Sequence, residues 1–214
     1  DVYKRQPRTP FQRLIVVWAG VMNTIRLMMK EKEELEETIQ IMSETDDPIY
    51  EAICESPALG VYFGENITSD VISPFIFKKY HMPYYKKRAR QLHVAKKYIY
   101  VHIDGTLRGV LPLMEETGVD CAQSVTPAPV GDIPVEKLRE VAGPNIILWG
   151  GLPGVYFSYQ YPEKTLRQMA MEVIKHHLEG HKFIIGVADQ VPPDGDIKRV
   201  KMIAEIVEKY AKYY

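Results

Sequence analysis

The chain has 214 residues, with 27 Lys and Arg against 28 Asp and Glu, and this near-neutral balance gives no electrostatic case for nucleic acid or an anionic membrane surface. Its 46% hydrophobic content suits one packed core, while the two cysteines, Cys54 and Cys121, make neither a disulfide framework nor a Cys-x-x-Cys metal site. No apolar run reaches the roughly 18 residues of a membrane span, because Asn23 and Arg26 interrupt the nearest candidate. A cytoplasmic protein acting on a small molecule is the expectation.

Asp1-Val-Tyr-Lys-Arg-Gln6 reads as the translation of a transposase-end adapter. Residues 1–6 are therefore set aside as an artefact, and 7–214 are read as one domain truncated at its start. In chain order, β-branched and aromatic runs predict strands at 14–18, 61–63, 98–102, 121–125, 146–149 and 183–187. Helical periodicity fills the gaps. Helices are expected over 30–42 and 83–96, then over 107–117, stopped by Gly118. Another spans 135–142, with Asp132 and Pro134 ahead of it and Gly143 behind. The next follows Pro162 over 163–179 and ends at Gly180. An amphipathic closing helix covers 197–210, with Val200, Ile203, Ile206 and Val207 on one stripe. Strands this apolar, alternating with helices, indicate a parallel sheet covered by helices. No glycine-rich phosphate loop follows any strand, which favours an incomplete (β/α)8 barrel over a dinucleotide-binding fold. Such a fragment exposes unpaired strand edges and is expected to aggregate or to be molten on its own.

The chemistry gathers at strand ends. Tyr98-Ile-Tyr-Val-His102-Ile-Asp104-Gly105 places His102 and Asp104 two apart, so both point to one face at the carboxyl end of a strand. Phe183-Ile-Ile-Gly-Val-Ala-Asp189 closes the same way. Barrel closure would bring Glu65, His102, Asp104 and Asp189 around one mouth, and that set suits Zn²⁺, Mn²⁺ or Fe²⁺. Metal-free proton transfer by His102 and Asp104 is an alternative, as is a plain structural role in which Asp104 caps a helix and His102 is a core histidine. Asn66, beside Glu65, and Trp149, before Gly150-Gly151, are candidate substrate contacts. His176, His177 and His181 fit a helix end better than a metal site. The basic clusters 78–80 and 86–88 read as a solvated face, with contact to a polyanion as the alternative. Met22, Met28 and Met29 are assigned to core or partner packing.

The run His102-x-Asp104-Gly105, Glu115-Glu-Thr-Gly-Val-Asp120, Asp132, Leu148-Trp-Gly-Gly-Leu-Pro153 and the Val-Pro-Pro-Asp after Gln190 resembles the uroporphyrinogen decarboxylase superfamily, from about Leu14 onward. The resemblance implies a (β/α)8 barrel of which strands three to eight are present. It implies an enzyme of either the methyltransferase branch or the decarboxylase branch. In the methyltransferase branch a His-x-Cys-Gly motif and a later cysteine bind a zinc ion that activates a thiol. His102 matches that histidine, while Asp104 and Asp189 stand where the two cysteines would be. The decarboxylase branch usually has a histidine at the position of Asp189. Its key aspartate and substrate-gripping arginines lie mainly near the first two strands, leaving Arg108 as the one well-placed cation here. The leading expectation is methyl transfer between a corrinoid and a thiol or methylated small molecule, with a divalent metal, zinc first, and a possible corrinoid-protein partner. Cofactor-free decarboxylation of uroporphyrinogen is the second expectation, and an inactive barrel that binds a corrinoid protein is the third. A homodimer would be in keeping with the family.

Overall fold

The computed structural model describes residues 3–179 and 182–211. Six parallel strands, β1 (Tyr3–Gln6), β2 (Gly60–Ile67), β3 (Tyr98–Ile103), β4 (Cys121–Val125), β5 (Ile147–Pro153) and β6 (Phe183–Ala188), pair strictly in sequence order. Each crossover carries helix, as parallel neighbours require. The result is a partial (β/α)8 barrel with β1 and β6 as its two edges among the described residues.

Period-two alternation sorts the strand residues onto two faces. Val61, Phe63, Ile99, Val101, Ala122 and Leu148 are buried against the helices, where Phe63 packs 5.8 Å from Tyr85 and 6.1 Å from Tyr50. Each of these side chains larger than alanine contributes roughly 1.5–3 kcal/mol by leaving water. Tyr62, Tyr100, Gln123 and Trp149 alternate with them on the other face and are half-buried. The hydrophobic core is thus the sheet–helix layer, and the opposite face carries aromatic and polar side chains.

Two sequence expectations need correcting. Residues 14–18 are not a strand. Pro10 starts a helix that runs through a π-helical turn at Leu14–Trp18, closed by Ala19 N–H donating to Leu14 O at 2.8 Å. Helix initiation at proline outweighs the β-branched run, and only Leu14 and Ile15 reach the core while Val16, Val17 and Trp18 are exposed. The strand that pairs with β2 is Tyr3–Gln6, inside the six residues set aside as adapter-derived. The helix expected over 107–117 is also shorter: Leu111–Met114 and a 3-10 turn at Glu115–Thr117, ending at Gly118 in the left-handed conformation (φ 82°).

The other helices fall near their expected places. Lys32–Thr45 follows a separate helix at Gly20–Lys30, and Met82–Val94, Leu138–Ala142 and Glu163–His177 precede β3, β5 and β6. Ile197–Tyr210 is capped by Asp196, whose carboxylate accepts from Lys198 N–H at 2.8 Å. Gly180, the expected stop of the fifth helix, and His181 lie outside the described residues. No described helix is long and apolar enough to cross a membrane.

Candidate functional site

The carboxyl ends of β3, β4 and β6 meet at one mouth. His102 is the penultimate residue of β3 and pairs in register with Gln123 of β4. Its Nδ1 lies 2.6 Å from Gln123 Oε1, an oxygen that can only accept. Nδ1 is therefore the donor of that bond, and Nε2 faces Asp189, whose Oδ1 is 3.8 Å away. Asp104 follows directly after β3, held by its N–H donating to Ile67 O at 2.8 Å, and its own Oδ1 accepts from Gly105 N–H at 2.7 Å. One ligand atom from each of His102, Asp104 and Asp189 lies within 4.8 Å of the others.

That donor set passes the chemical test for a divalent ion. A tetrahedral centre with bonds of about 2.1 Å spaces its donors by about 3.4 Å, so closure onto an ion is a side-chain adjustment. The imidazole is fixed from behind by Gln123 with Nε2 turned toward Asp189, the outer-shell arrangement that metal-bound histidines use. Burial grades across the group: His102 is buried, Asp104 half-buried and Asp189 exposed, leaving the centre approachable from solvent.

Strained backbone holds the third member of the group. Asp189 (φ 65°) and Ser124 (φ 77°) both adopt the left-handed region without being glycine, and they are bonded to each other: Asp189 N–H donates to Ser124 Oγ at 2.6 Å. Ser124 is fully buried at the end of β4. Gln123 and Ser124 were not singled out from sequence. The available signal was a polar pair inside the otherwise apolar Cys121-Ala-Gln-Ser-Val125.

Two hollows flank the triad. Asp104, Gly105, Thr126, Val130, Asp189 and Pro192 are among the residues lining one of about 250 Å³ at the mouth. Deeper on the same face, Tyr62, Tyr100, Gln123 and Trp149 line a second of about 220 Å³. Gln123 links the second hollow to the triad, since it lines that hollow and bonds His102.

Glu65 is not brought to this group. It is fully buried on the helix side, where Oε1 accepts from Thr9 N–H (2.7 Å) and Oε2 from Thr9 Oγ1 (3.1 Å). Thr9 Oγ1 also lies 3.0 Å from His81 Nδ1. Burial drives Glu65 up to about 7, against the two Thr9 bonds, and drives His81 down to about 3. Asn66 is exposed at a left-handed position (φ 55°), with its carbonyl 3.5 Å from Gln12 Nε2. Arg108 is exposed, and its guanidinium donates to Asp132 O at 2.6 Å. The Asp132 carboxylate takes Leu107 N–H at 2.7 Å and Arg108 N–H at 3.1 Å, which fixes the loop after β3.

Away from the mouth, the remaining candidates make structural contacts. His177 Nε2 meets Val135 O at 2.7 Å and its ring stacks on Phe183, while His176 pairs with Glu172. In the basic clusters, Lys79 pairs with Glu36, and Lys87 and Arg88 share Asp47. Met22 and Met29 are largely exposed, outside the core.

A parallel sheet backed by helices, with a histidine and two carboxylates at the carboxyl ends of its strands, is the architecture of (β/α)8-barrel enzymes. The chain belongs to the uroporphyrinogen decarboxylase (URO-D) family, whose model matches residues 9–210. Among solved structures it is similar to a methyltransferase from Methanosarcina mazei, with a TM-score of 0.77 at 19% sequence identity. The match covers 98% of this chain and 59% of that one, so the chain spans somewhat more than half the neighbour's length. At this identity the likeness establishes the fold. No curated protein matches.

Proposed function

We propose that this chain carries the catalytic face of an enzyme that transfers a methyl group between a corrinoid and a thiol or methylated small molecule. The observation that carries the reading is the convergence of His102, Asp104 and Asp189 on one point. A divalent ion held there, zinc above all, would act as a Lewis acid and favour the thiolate of a bound thiol at neutral pH. His102 would supply a neutral nitrogen, kept in that tautomer by Gln123, and Asp104 and Asp189 would supply two negative charges that balance the ion. Asp189, on the exposed side, would set how far the centre opens to the acceptor. The URO-D resemblance and the methyltransferase neighbour agree with this reading.

The family's name also carries decarboxylation of a polycarboxylate substrate, for which cations at the mouth would be needed. Arg108 is committed to the Asp132 carbonyl, which weighs against it. The test is to incubate the protein and its Asp104→Asn variant with methylcobalamin and a small thiol and to follow loss of the methyl–cobalt absorbance. Thiol-dependent demethylation, reduced at least 100-fold in the variant, is expected. No demethylation, together with release of carbon dioxide from uroporphyrinogen, would replace this reading with the second. Inactivity on both substrates would favour an inactive binding barrel.

A further inference from the structure

We infer that Glu65, Thr9 and His81 form a buried proton relay, in which Glu65 stores a proton and His81 exchanges tautomers each time the store fills or empties. The three side chains come from different elements. Glu65 belongs to β2, Thr9 caps the helix that starts at Pro10, and His81 ends a π-helical turn at Phe77–His81. All three are fully buried on the helix side of the sheet, apart from the triad at the mouth. Thr9 Oγ1 stands between the other two, 3.1 Å from Glu65 Oε2 and 3.0 Å from His81 Nδ1. At the end of this chain, His81 Nε2 has no hydrogen-bond partner among the described residues. The rings of Phe11, Phe77 and Tyr85 pack around the imidazole and hold it in place.

A hydroxyl has one proton to give, so the two bonds of Thr9 Oγ1 are set together. With Glu65 ionised, Thr9 Oγ1 donates to the carboxylate and accepts from His81 Nδ1–H, which leaves Nε2 bare. The backbone N–H of Thr9 donates to Oε1 at 2.7 Å, so a proton on Glu65 sits on Oε2. That O–H then donates to Thr9 Oγ1, Thr9 donates to His81 Nδ1, and the ring proton lies on Nε2. Filling the store takes one proton from water: an N–H bond forms at Nε2, the Nδ1 proton passes to Thr9 Oγ1, and the Thr9 proton passes to Oε2. Emptying reverses each step. Burial raises Glu65 to about 7 against the pull of Arg8 and Arg13, so the store turns over around neutrality. Arg13 is itself paired with Asp46. Tyr50 and Tyr85 are within electrostatic reach of Glu65, and burial keeps both hydroxyls protonated. His81, held at about 3 by burial, stays neutral and carries the proton by exchanging tautomers.

The test is nitrogen-15 magnetic resonance of dilute, histidine-labelled protein, with the His81 signals identified by their loss in His81→Phe. In the wild type at least about nine-tenths of His81 should be the Nε2–H tautomer at pH 5 and the Nδ1–H tautomer at pH 9. In Glu65→Gln the amide oxygen must take the Thr9 N–H, which turns the amide nitrogen toward Thr9 Oγ1 and locks His81 as Nε2–H at both pH values. Thr9→Ser should switch as the wild type does, and Thr9→Val, which lacks the hydroxyl, should lose the pH dependence. One His81 tautomer at both pH values in the wild type, or a switch that survives in Glu65→Gln, would overturn the relay. Glu65→Gln decides the matter by itself if Thr9→Val does not fold.

Discussion

Glu65 is a carboxyl group with no water around it, and its ionisation is visible in stability. The folded state keeps the proton up to about pH 7, whereas an unfolded chain releases it near the ordinary value of 4.5, so this group's contribution falls as pH rises between those values and is then flat. His81 works in the opposite sense. Its folded value of about 3 lies below the ordinary 6.5, so its contribution grows as pH rises from 3 to 6.5. The two offset between about 4.5 and 6.5. Glu65→Gln keeps a partner for each Thr9 group and removes one slope. Its unfolding free energy should match the wild type below pH 4 and exceed it above pH 7, by at most about 3.5 kcal/mol at ~1.4 kcal/mol per unit. A variant less stable than wild type at pH 8 would show that Glu65 stays ionised. Gln123→Leu should weaken metal binding about 10–100-fold with the melt little changed, since it removes the group that fixes the imidazole. Unchanged affinity would deny Gln123 that role.

The strand period explains why the convergence of three candidate residues was legible and the divergence of Glu65 was not. His102 and Asp104 share a face through simple alternation at the end of a regular strand, and Asp189 terminates another. Glu65 lies two residues after Phe63 and keeps its helix-facing side, so the same alternation that carries Val61 and Phe63 into the core turns Glu65 away from the mouth; ending the expected strand at residue 63 left that unread. The left-handed backbones of Ser124 and Asp189 were not legible, since the bond that joins them spans 65 residues of sequence.

Among the elements, the turn after β5 decides where the end of β6 lies. Gly154 opens the 3-10 turn Gly154–Phe157, and a Cβ there would run into the carbonyl oxygen of Gln190, next to Asp189. Gly154→Ala should therefore displace Asp189 and lower metal affinity at least tenfold while the far-ultraviolet circular dichroism stays that of the wild type. Full affinity in the variant would mean that the Asp189 loop adapts freely. The π-helical turn at Leu14–Trp18 teaches the complementary lesson. Five β-branched or large apolar residues read as a strand, but a helix already running from Pro10 carries through them, and their outward half remains exposed. The alternation of strands and helices, and with it the barrel class, was legible because it repeats along the whole chain. A single element without a repeat was not.

At the scale of the whole chain, the parallel sheet is open at β1 and β6 among the described residues. Beside β6, Val173, Ile174, Phe183, Ile184 and Val207 line an apolar hollow of about 240 Å³. Unpaired strand edges next to apolar surface promote association. The 214-residue chain should therefore self-associate with rising concentration and bind a hydrophobic dye, and sedimentation velocity will follow this directly. A single monomeric species that binds no dye at high concentration would contradict it.

The account turns on whether His102, Asp104 and Asp189 hold a metal. The decisive measurement is the metal content of dilute, purified protein by mass spectrometry, beside Asp189→Ala and Glu65→Gln. About one divalent ion per chain, lost in Asp189→Ala and retained in Glu65→Gln, is the predicted result. Absence of metal from the wild type after exposure to zinc, or equal occupancy in Asp189→Ala, would contradict it.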